Sequence, residues 1–189
     1  MAFFKVVIAV TGASGSIYAR LLLERLMVRE DIGEVALIVS DNGAAVARHE
    51  GVTLPGEADC GVIRTYGSHD MFAAPASGSA RYDAMVVVPC SMGTAGRVAA
   101  GISDNLICRA ADVMLKERRP LILVPRESPL GTIHLRNLAT LSECGAVILP
   151  AMPSFYSLPQ TLEAACETVV ERIMDHLGLD GKAYRWGNR

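Results

Sequence analysis

A run of small and hydroxyl-bearing residues, Thr11–Ser16 (TGASGS), has the composition of a phosphate-binding turn. Small side chains let a phosphate group approach the backbone, and the free N–H groups at the start of a following helix then bind the anion. The run matches neither the GxGxxG motif of dinucleotide sites nor a Walker loop with its lysine. From these residues alone two interpretations stay open: a phosphate site, or a tight strand-to-helix turn without a ligand.

Two more small-residue loops follow, Pro75–Ser79 (PASGS) and Pro89–Thr94 (PCSMGT). Loops that follow parallel strands meet at one edge of the sheet, where doubly wound proteins bind ligands. Three such loops in a short chain favour a phosphorylated, planar ligand. Cys90 in the third loop is better explained as a packed thiol than as a nucleophile, because no histidine is spaced to act as its base.

Charged residues are dense around the apolar run Leu121–Pro125. Lys116–Arg119 precede this run, and cations at such a position commonly stabilise the C-terminus of a helix. Arg126 and Glu127 follow it, at the edge of the sheet where ligands bind. Because an arginine can bind phosphate through two N–H groups and a glutamate can act as a base, we predict functional roles for both.

Other polar residues give weaker signals. Tyr156 follows the last apolar run and is either a packed aromatic residue or a hydrogen-bond donor to phosphate. The four histidines lack the HxH or HExxH spacing of metal sites, so we expect no metal. The five cysteines are an odd number without CxxC spacing, which indicates neither a disulfide framework nor a zinc site.

Apolar runs alternate with helical patterns, which is the order of an α/β protein with a parallel sheet. The predicted strands are Phe4–Thr11, Glu34–Ser40, Tyr82–Pro89, Leu121–Pro125 and Ala146–Pro150. The predicted helices are Ile17–Val28, Ala44–Arg48, Asp104–Arg118, Ile133–Glu143 and Gln160–Leu177. The stretch Val52–Ala80 has no clean period and is predicted to be a long functional loop. We expect one Rossmann-like (flavodoxin-like) domain over residues 1–189, an open parallel sheet with helices on both faces, whose tail from about residue 178 is less ordered.

Bulk properties exclude several classes of partner. A chain of 189 residues, 51% apolar, suits one domain with a proper core. Its net charge of −2 offers no basic surface to nucleic acid or an anionic membrane. No apolar stretch approaches the ~20 residues of a membrane span, and the N-terminus lacks a signal-peptide pattern, so we expect a cytoplasmic protein. The mean hydropathy of +0.31 is high for a small chain and favours a homo-oligomer.

Seven motifs spread along the chain resemble those of flavin prenyltransferases of the UbiX type, within the homo-oligomeric flavin-containing decarboxylase-like superfamily. They are TGASG (11–15), PASGS (75–79), PCSMGT (89–94), RAADVMLKERRPLILVPRE (109–127), IHLRNL (133–138), GAVILPAMP (145–153) and FYSLPQ (155–160). The block over residues 109–127 is long and specific, and the resemblance covers essentially the whole chain.

The resemblance implies a Rossmann-like subunit, commonly a dodecamer, that binds FMN and dimethylallyl monophosphate. It implies alkylation of reduced FMN at N5 and ring closure at C6 without a metal, and delivery of prenylated FMN to a UbiD-type decarboxylase. By motif position, the residues that would bind FMN are Gly12, Ala13, Ser14, Ser40, Ser91, Met92, Gly93, Thr94 and Arg126. Those that would hold the prenyl phosphate, partly across a subunit boundary, are Arg109, Lys116, Arg126, Tyr156 and Arg172. Those with catalytic roles would be Ser14, Glu50, Lys116, Glu127 and Tyr156.

The implied chemistry agrees with the residue types. An allylic C–O bond ionises when the departing phosphate is neutralised, and arginine, lysine and tyrosine side chains can do this without magnesium. No DDxxD motif occurs in the sequence. Two positions depart from the family pattern: Asp41 stands where many relatives have lysine, and Met71 where many have tryptophan. We therefore expect a reshaped prenyl pocket.

Two alternatives stay open. One is a flavin-dependent decarboxylase of a cysteine-derived substrate, on the same superfamily fold. Such relatives typically have a histidine after the first helix and a PxMNxxMW-like segment, and the sequence has neither. The other is a non-catalytic FMN carrier or accessory subunit, which would not require a cluster of residues that neutralises phosphate.

Overall fold

A parallel sheet forms the centre of the molecule. The computed structural model describes residues 3–179 and Gly187. Within these residues the strands are β1 (Phe4–Val10), β2 (Ile32–Val39), β3 (Ile63–Gly67), β4 (Ala84–Cys90), β5 (Leu121–Pro125) and β6 (Val147–Ile148). They are ordered β3-β2-β1-β4-β5-β6, and every neighbouring pair is parallel. This is the strand order of Rossmann folds, and its direction of winding reverses between β1 and β4.

Helices cover both faces of the sheet. They are α1 (Ser16–Met27), α2 (Asp41–His49), α3 (Met92–Ala99), α4 (Leu106–Lys116), α5 (Thr132–Glu143) and α6 (Leu162–His176). Two short 3₁₀ turns, Ala74–Ala76 and Gly78–Ala80, lie between β3 and β4. Helices α1, α2, α3 and α5 each begin within a few residues of the end of a strand, and Leu106 N at the start of α4 donates to Ser68 O just after β3. These helix N-termini therefore gather at the carboxyl edge.

The alternation of side chains along β1 divides the core into two layers. Val6, Ile8 and Val10 pack in the layer that contains α1 and α6, whereas Val7 and Ala9 pack with α3, α4 and α5. All five are fully buried. Burial of a side chain such as valine or isoleucine stabilises a fold by about 1.5–3 kcal/mol. The central strand therefore fixes the loops at its carboxyl end on a rigid support.

The predicted fold class is confirmed, with two corrections to its elements. Residues 52–80 are not only a loop, because β3 lies within them and pairs with β2. As an edge strand β3 buries only Ile63 fully, so its sequence carries no continuous apolar signal. The second correction is α3, which begins at Met92 directly inside the third small-residue loop. Gly93 and Gly96 lower its helix propensity and obscured it in the sequence.

Boundaries differ elsewhere by a few residues. β6 comprises only two residues of the predicted strand Ala146–Pro150. The predicted loosely ordered tail from about residue 178 lies mostly outside the described residues. Within the described residues no helix is both long enough and apolar enough to cross a membrane.

Candidate functional site

A polar cavity of about 260 Å³ lies at the carboxyl edge, where the N-termini of α2, α3 and α4 converge. We call it the three-helix cavity. Its lining residues are Thr11, Gly12, Ser40, Asp41, Asn42, Ser68, His69, Ser91, Thr94, Arg97, Asn105 and Ile107. Helix N-termini carry partial positive charge and unpaired N–H groups, so three of them facing one cavity favour an anion.

The residue before each of these helices caps it through its side chain. Ser40 Oγ accepts a hydrogen bond from Gly43 N at 3.0 Å, and Asn105 Oδ1 accepts one from Cys108 N at 3.0 Å. Ser91 Oγ accepts from Thr94 N at 3.3 Å. Such caps hold the first turn of a helix in place. The three cap residues thus both order the helix ends and line the cavity.

Thr11 connects the loops that follow β1 and β4. Its Oγ1 donates to the carbonyl oxygen of Pro89 at 2.8 Å and accepts from Ser91 N at 2.8 Å. Thr11 is almost fully buried, at 2% exposure. Because winding reverses between these two strands, the hydroxyl fixes the width of the crevice in which doubly wound proteins bind ligands.

Arg97 brings a full positive charge to the three-helix cavity. Its Nε lies 3.3 Å from Asp104 Oδ2, and its Nη1 donates to the carbonyl oxygen of Gly93 at 3.3 Å. At the rim, His69 Nε2 lies 3.3 Å from Asp41 Oδ2, with both side chains exposed. The cavity therefore suits the phosphate group of a phosphomonoester.

A second cavity, of about 470 Å³, lies beside the first and is lined mainly by apolar atoms. We call it the Glu50 cavity. Its lining residues are Ser14, Gly15, Ile17, Tyr18, Glu50, Val52, Arg126, Ala151, Leu162 and Cys166. The loop between β1 and α1 borders both cavities, with Gly12 in one and Ser14 in the other. The two cavities therefore share this loop as a wall.

Glu50 occupies the N-terminus of α1. Its Oε1 accepts a hydrogen bond from Gly15 N and its Oε2 one from Ser16 N, each at 2.8 Å. Burial would raise the pKa of this carboxyl group, but hydrogen bonds from Ser14, Gly15 and Ser16 outweigh it and hold the pKa below its ordinary value. A carboxylate thus stands where Rossmann dinucleotide enzymes bind pyrophosphate. The phosphate-site interpretation of the first loop stays a prediction for Gly12, which lines the three-helix cavity, whereas at the start of α1 Glu50 already binds the N–H groups of Gly15 and Ser16.

Tyr18 and Cys166 form the buried end of the Glu50 cavity, at 7% and 3% exposure. Burial, assisted by the adjacent Cys166 thiol, raises the pKa of Tyr18 to about 12. Burial likewise raises the pKa of Cys166. Both groups therefore stay protonated near neutral pH and offer a neutral surface to an apolar ligand.

A third cavity, of about 560 Å³, lies along α6 and contains Arg172. Arg172 Nη1 pairs with Asp175 Oδ2 at 2.7 Å. At the same cavity Arg25 Nη2 binds Glu167 and Glu171, at 3.0 Å each, and thereby ties α1 to α6. Arg172 and Arg126 therefore lie in separate cavities of one subunit.

The structure brings together only part of the predicted site. Of the predicted FMN residues, Gly12, Ser40, Ser91 and Thr94 line the three-helix cavity, and Ser14 and Arg126 line the Glu50 cavity. Ala13 and Met92 are buried at 7% each and support these loops from behind, whereas Gly93 is exposed and lines neither cavity. Of the predicted catalytic residues, only Ser14 and Glu50 line the same cavity.

Four predicted residues point to solvent or to other elements. Tyr156 is 69% exposed, and Glu127 is exposed with its Oε1 accepting from Ser128 N at 3.1 Å. Lys116 is exposed at the C-terminus of α4. Arg109 Nε donates to the carbonyl oxygen of Ala76 at 3.0 Å, and its Nη1 pairs with Asp112 at 2.9 Å. None of the four lines a cavity described above.

Among the site residues that sequence analysis missed are Arg97, Asn105 and Tyr18. Asn105 carried a signal, since an asparagine before an apolar helical run is a typical N-cap. Arg97 belongs to the helix that the sequence did not reveal. Tyr18 reaches its cavity only through the packing of α1 on α6, which no local pattern shows.

Cys90 is a packed thiol, as predicted. It is fully buried, and burial raises its pKa to about 12. Among the residues that the structure describes, no three His, Cys, Asp or Glu side chains lie close enough to hold a metal ion. The fold and the cavities together define a Rossmann-like protein with a polar cavity at the carboxyl edge of its sheet.

Comparisons with known proteins agree with this class. The flavoprotein family matches residues 2–177. The flavin prenyltransferase UbiX of Pseudomonas aeruginosa is 46% identical over 98% of this chain and 95% of its own length. A dodecameric FMN-dependent UbiX-like decarboxylase from Escherichia coli O157:H7 has a TM-score of 0.91 and 38% identity, over 98% of this chain and 100% of its own. AnUbiX (PadA1), in complex with FMN and dimethylallyl pyrophosphate, has a TM-score of 0.88 and 39% identity, over 99% of each chain.

The chain belongs to the flavoprotein family and, within it, to the UbiX-type flavin prenyltransferases.

Proposed function

We propose that this chain transfers a dimethylallyl group from dimethylallyl monophosphate to reduced FMN and so forms prenylated FMN. The observation that carries the proposal is the pair of adjoining cavities, one polar and anion-binding, the other largely apolar, with the β1–α1 loop lining both. A mononucleotide with a planar ring requires such a pair. The sequence identity to curated flavin prenyltransferases supports the same activity.

The three-helix cavity fits the phosphate of FMN. Ser40, Ser91 and Asn105 order three helix N-termini around it, and Arg97 supplies a positive charge. Hydrogen bonds from helix N-termini to a phosphate act together with the helix dipoles. Gly12 keeps the loop close to α2, because a side chain there would meet Asn42 at 2.6 Å.

The Glu50 cavity fits the reacting part of the ligands. When bound, reduced FMN supplies N5 and C6 as the atoms that accept the prenyl group. Ser14 and Arg126 would lie beside the ring, and the ionised Glu50 would orient Ser14 by accepting a hydrogen bond from its hydroxyl group. The apolar residues of this cavity exclude water from an allylic group that carries positive charge.

The phosphate can leave the prenyl donor only if its negative charge is neutralised. The chain places candidate groups for this role at two separate surfaces. Arg126 lines the Glu50 cavity, whereas Arg172 lies in the separate cavity along α6 and Tyr156 is exposed after β6. Arg109 lies in the first turn of α4 and Lys116 is its last residue, and neither lines any of the three cavities described above. We infer that Arg109 and Lys116 bind the donor phosphate in the site of a neighbouring subunit.

Glu127 is proposed to move the proton that ring closure at C6 releases. Its carboxylate is exposed beside Arg126 and would face the ligand of a neighbouring subunit rather than its own Glu50 cavity. Glu50 is unsuited to donate a proton, because its lowered pKa keeps it ionised at neutral pH. The two acids would therefore have different roles.

Exposed apolar side chains favour a homo-oligomer, proposed to be a dodecamer like the relative from Escherichia coli. The exposed set in the described chain includes Phe72, Ile133, Met152, Phe155, Leu158 and Leu162. Large exposed apolar patches mark sites of association. We also propose that a UbiD-type decarboxylase receives the product; the cytoplasmic localisation stays a prediction.

Co-expression of two single-residue variants tests whether Lys116 acts across a subunit boundary. Lys116→Gln leaves the Glu50 cavity intact, and Arg126→Gln leaves α4 intact. If Lys116 acts in a neighbour's site, mixed oligomers from 1:1 co-expression of the two variants contain some sites in which both residues are wild type. About a quarter of all sites should be of this kind, measured as the amount of prenylated FMN formed relative to wild type. Each variant expressed alone is the control. No regain above the two single variants would place Lys116 in its own subunit's site and contradict the assignment.

A further inference from the structure

Three backbone carbonyl groups of the segment Ala76–Ala80 each accept a hydrogen bond from a basic side chain. Ala76 is bound by Arg109 from α4, Gly78 by Arg119 from the turn after α4, and Ala80 by Lys5 from β1. The three carbonyls belong to alternate residues, and their donors belong to three separate parts of the chain. We call this arrangement the carbonyl clamp.

Arg119 is the central member of the carbonyl clamp. Its Nη2 donates to the carbonyl oxygen of Gly78 at 3.0 Å, and its Nη1 to that of Tyr82 at 3.3 Å. Its side chain is only 24% exposed. A guanidinium group presents its donors as a rigid planar fork, so it can hold two carbonyls at a fixed separation. Arg119 thereby fixes the loop against the residue that leads into β4.

Lys5 fixes the far end of the same loop. Its Nζ donates to the carbonyl oxygen of Ala80 at 3.1 Å, lies 3.3 Å from Glu34 Oε2 and sits 4.5 Å from the centre of the Tyr82 ring. Its backbone N donates to Asp83 Oδ2 at 2.8 Å. Cation–π contact and ion pairing restrain an ammonium group that would otherwise be mobile.

Arg109 is the member of the carbonyl clamp that reaches towards the proposed prenyl phosphate. Its Nε is occupied by Ala76 and its Nη1 by Asp112, and a guanidinium has five N–H donors in all. Arg109, Asp112 and Lys116 share one face of α4, since residues three and four apart are neighbours on a helix. The position of Ala76 therefore sets the direction in which Arg109 presents its remaining donors.

We propose that Arg119 is a positioning residue for the prenyl donor, acting through the Ala76–Ala80 loop on Arg109. The proposal rests on the assignment of Arg109 to the donor phosphate. Without Arg119 the loop loses the charge-assisted hydrogen bond to Gly78 at its centre and the link to Tyr82, and the Ala76 carbonyl no longer holds the Arg109 guanidinium in one orientation. Affinity for the donor falls, whereas the three-helix cavity, which contains no clamp residue, keeps its affinity for FMN.

The test compares Arg119→Gln, Arg119→Lys, Arg109→Gln and the double variant Arg109→Gln/Arg119→Gln in the FMN-loaded oligomer. Arg81→Gln is the matched control, because Arg81 directly follows the loop and is exposed. Calorimetry gives the dissociation constant for dimethylallyl monophosphate, flavin fluorescence gives that for FMN, and turnover gives KM and kcat. Light scattering checks assembly.

We expect Arg119→Gln to raise the dissociation constant and KM for the donor by about tenfold, with FMN affinity and assembly unchanged. Arg119→Lys restores part of the loss, since an ammonium can reach one of the two carbonyls. The loss disappears in the Arg109→Gln background, because a residue that acts through Arg109 has no effect without it. Arg81→Gln behaves as wild type.

Several results would overturn the proposal. One is an unchanged donor affinity in Arg119→Gln. Another is a loss of donor affinity that adds in full to the loss in Arg109→Gln. A third is disassembly of both Arg119 variants, which would show that the loop is needed for assembly. If donor binding depends on Arg119 but the wild type shows no turnover, the positioning role is supported and the proposed reaction is refuted. A wild type that does not bind the donor would refute both.

Discussion

At the scale of single residues, Glu50 shows that a distant side chain can occupy the N–H groups that a motif offers to a ligand. One of the two interpretations left open for the TGASGS turn has it present free N–H groups to a phosphate, yet two of these groups bind the Glu50 carboxylate. Glu50 lies 35 residues from Gly15 in sequence, so no local pattern connects them. The small residues of the turn and the position of Gly12 could be predicted, whereas the partner of the α1 N-terminus could not.

Glu50→Gln is expected to lower the free energy of unfolding by about 1 kcal/mol at pH 7, as loss of a charged helix cap does. A lowered pKa means that the stabilisation is present above the ordinary value of 4.5 and is lost as the pH falls through the lower folded-state value. The difference between variant and wild type should therefore shrink below pH 4.5. Urea unfolding at pH 7 and pH 3 measures it.

The matched control for this measurement is Glu30→Gln, which changes an exposed glutamate at the end of the α1–β2 turn. It should leave stability within about 0.5 kcal/mol of wild type. An equal effect of the two substitutions at pH 7, or a Glu50→Gln deficit that is as large at pH 3 as at pH 7, would contradict the capping role.

Glu127→Gln and Tyr156→Phe are each expected to retain FMN and to lose most prenylation. Neither side chain lines the three-helix cavity, so the phosphate of FMN keeps its ligands. The first change removes a proton acceptor and the second a hydrogen-bond donor to the leaving phosphate. Flavin absorbance of the purified variants and the yield of prenylated FMN measure the two properties. Normal turnover in both variants would refute the proposed roles.

At the scale of elements, the site is built from helix ends. Strands β1, β2, β4 and β5 were predictable because buried strands have continuous apolar runs, and their order along the chain fixed which loops share an edge. β3 and α3 were not, since an edge strand buries one residue fully and a glycine-containing helix has weak propensity. Because β3 and α3 were not predicted, the prediction lacked Arg97 and the α3 N-terminus, which line the three-helix cavity.

Ser91→Ala is expected to weaken FMN binding by about tenfold, because it removes the cap that orders the α3 N-terminus at the phosphate. Thr161→Ala is the matched control, since Thr161 Oγ1 caps α6 by accepting from Ala164 N at 3.0 Å and does not line the three-helix cavity. Both variants should lose about 1 kcal/mol of stability. Fluorescence titration with FMN separates them: equal FMN affinities in the two variants would contradict the phosphate assignment.

At the scale of the whole molecule, we propose that one subunit does not contain a complete site. The residues assigned to the FMN phosphate lie together, while Arg109, Lys116, Glu127 and Tyr156 lie at the surface, beside a set of exposed apolar side chains. The high mean hydropathy predicted association from the sequence alone. Which surfaces meet could not be predicted, because that depends on the shape of the folded subunit rather than on any segment of its sequence.

The measurement that tests the proposed reaction most directly is the mass of the flavin after anaerobic incubation of the purified protein with FMN, dithionite and dimethylallyl monophosphate. We predict a gain of one C5H8 unit per flavin, dependent on protein and donor. Bound FMN of unchanged mass, with dimethylallyl diphosphate tried as an alternative donor, would contradict the proposed transfer and favour a flavin-dependent decarboxylase or an FMN carrier.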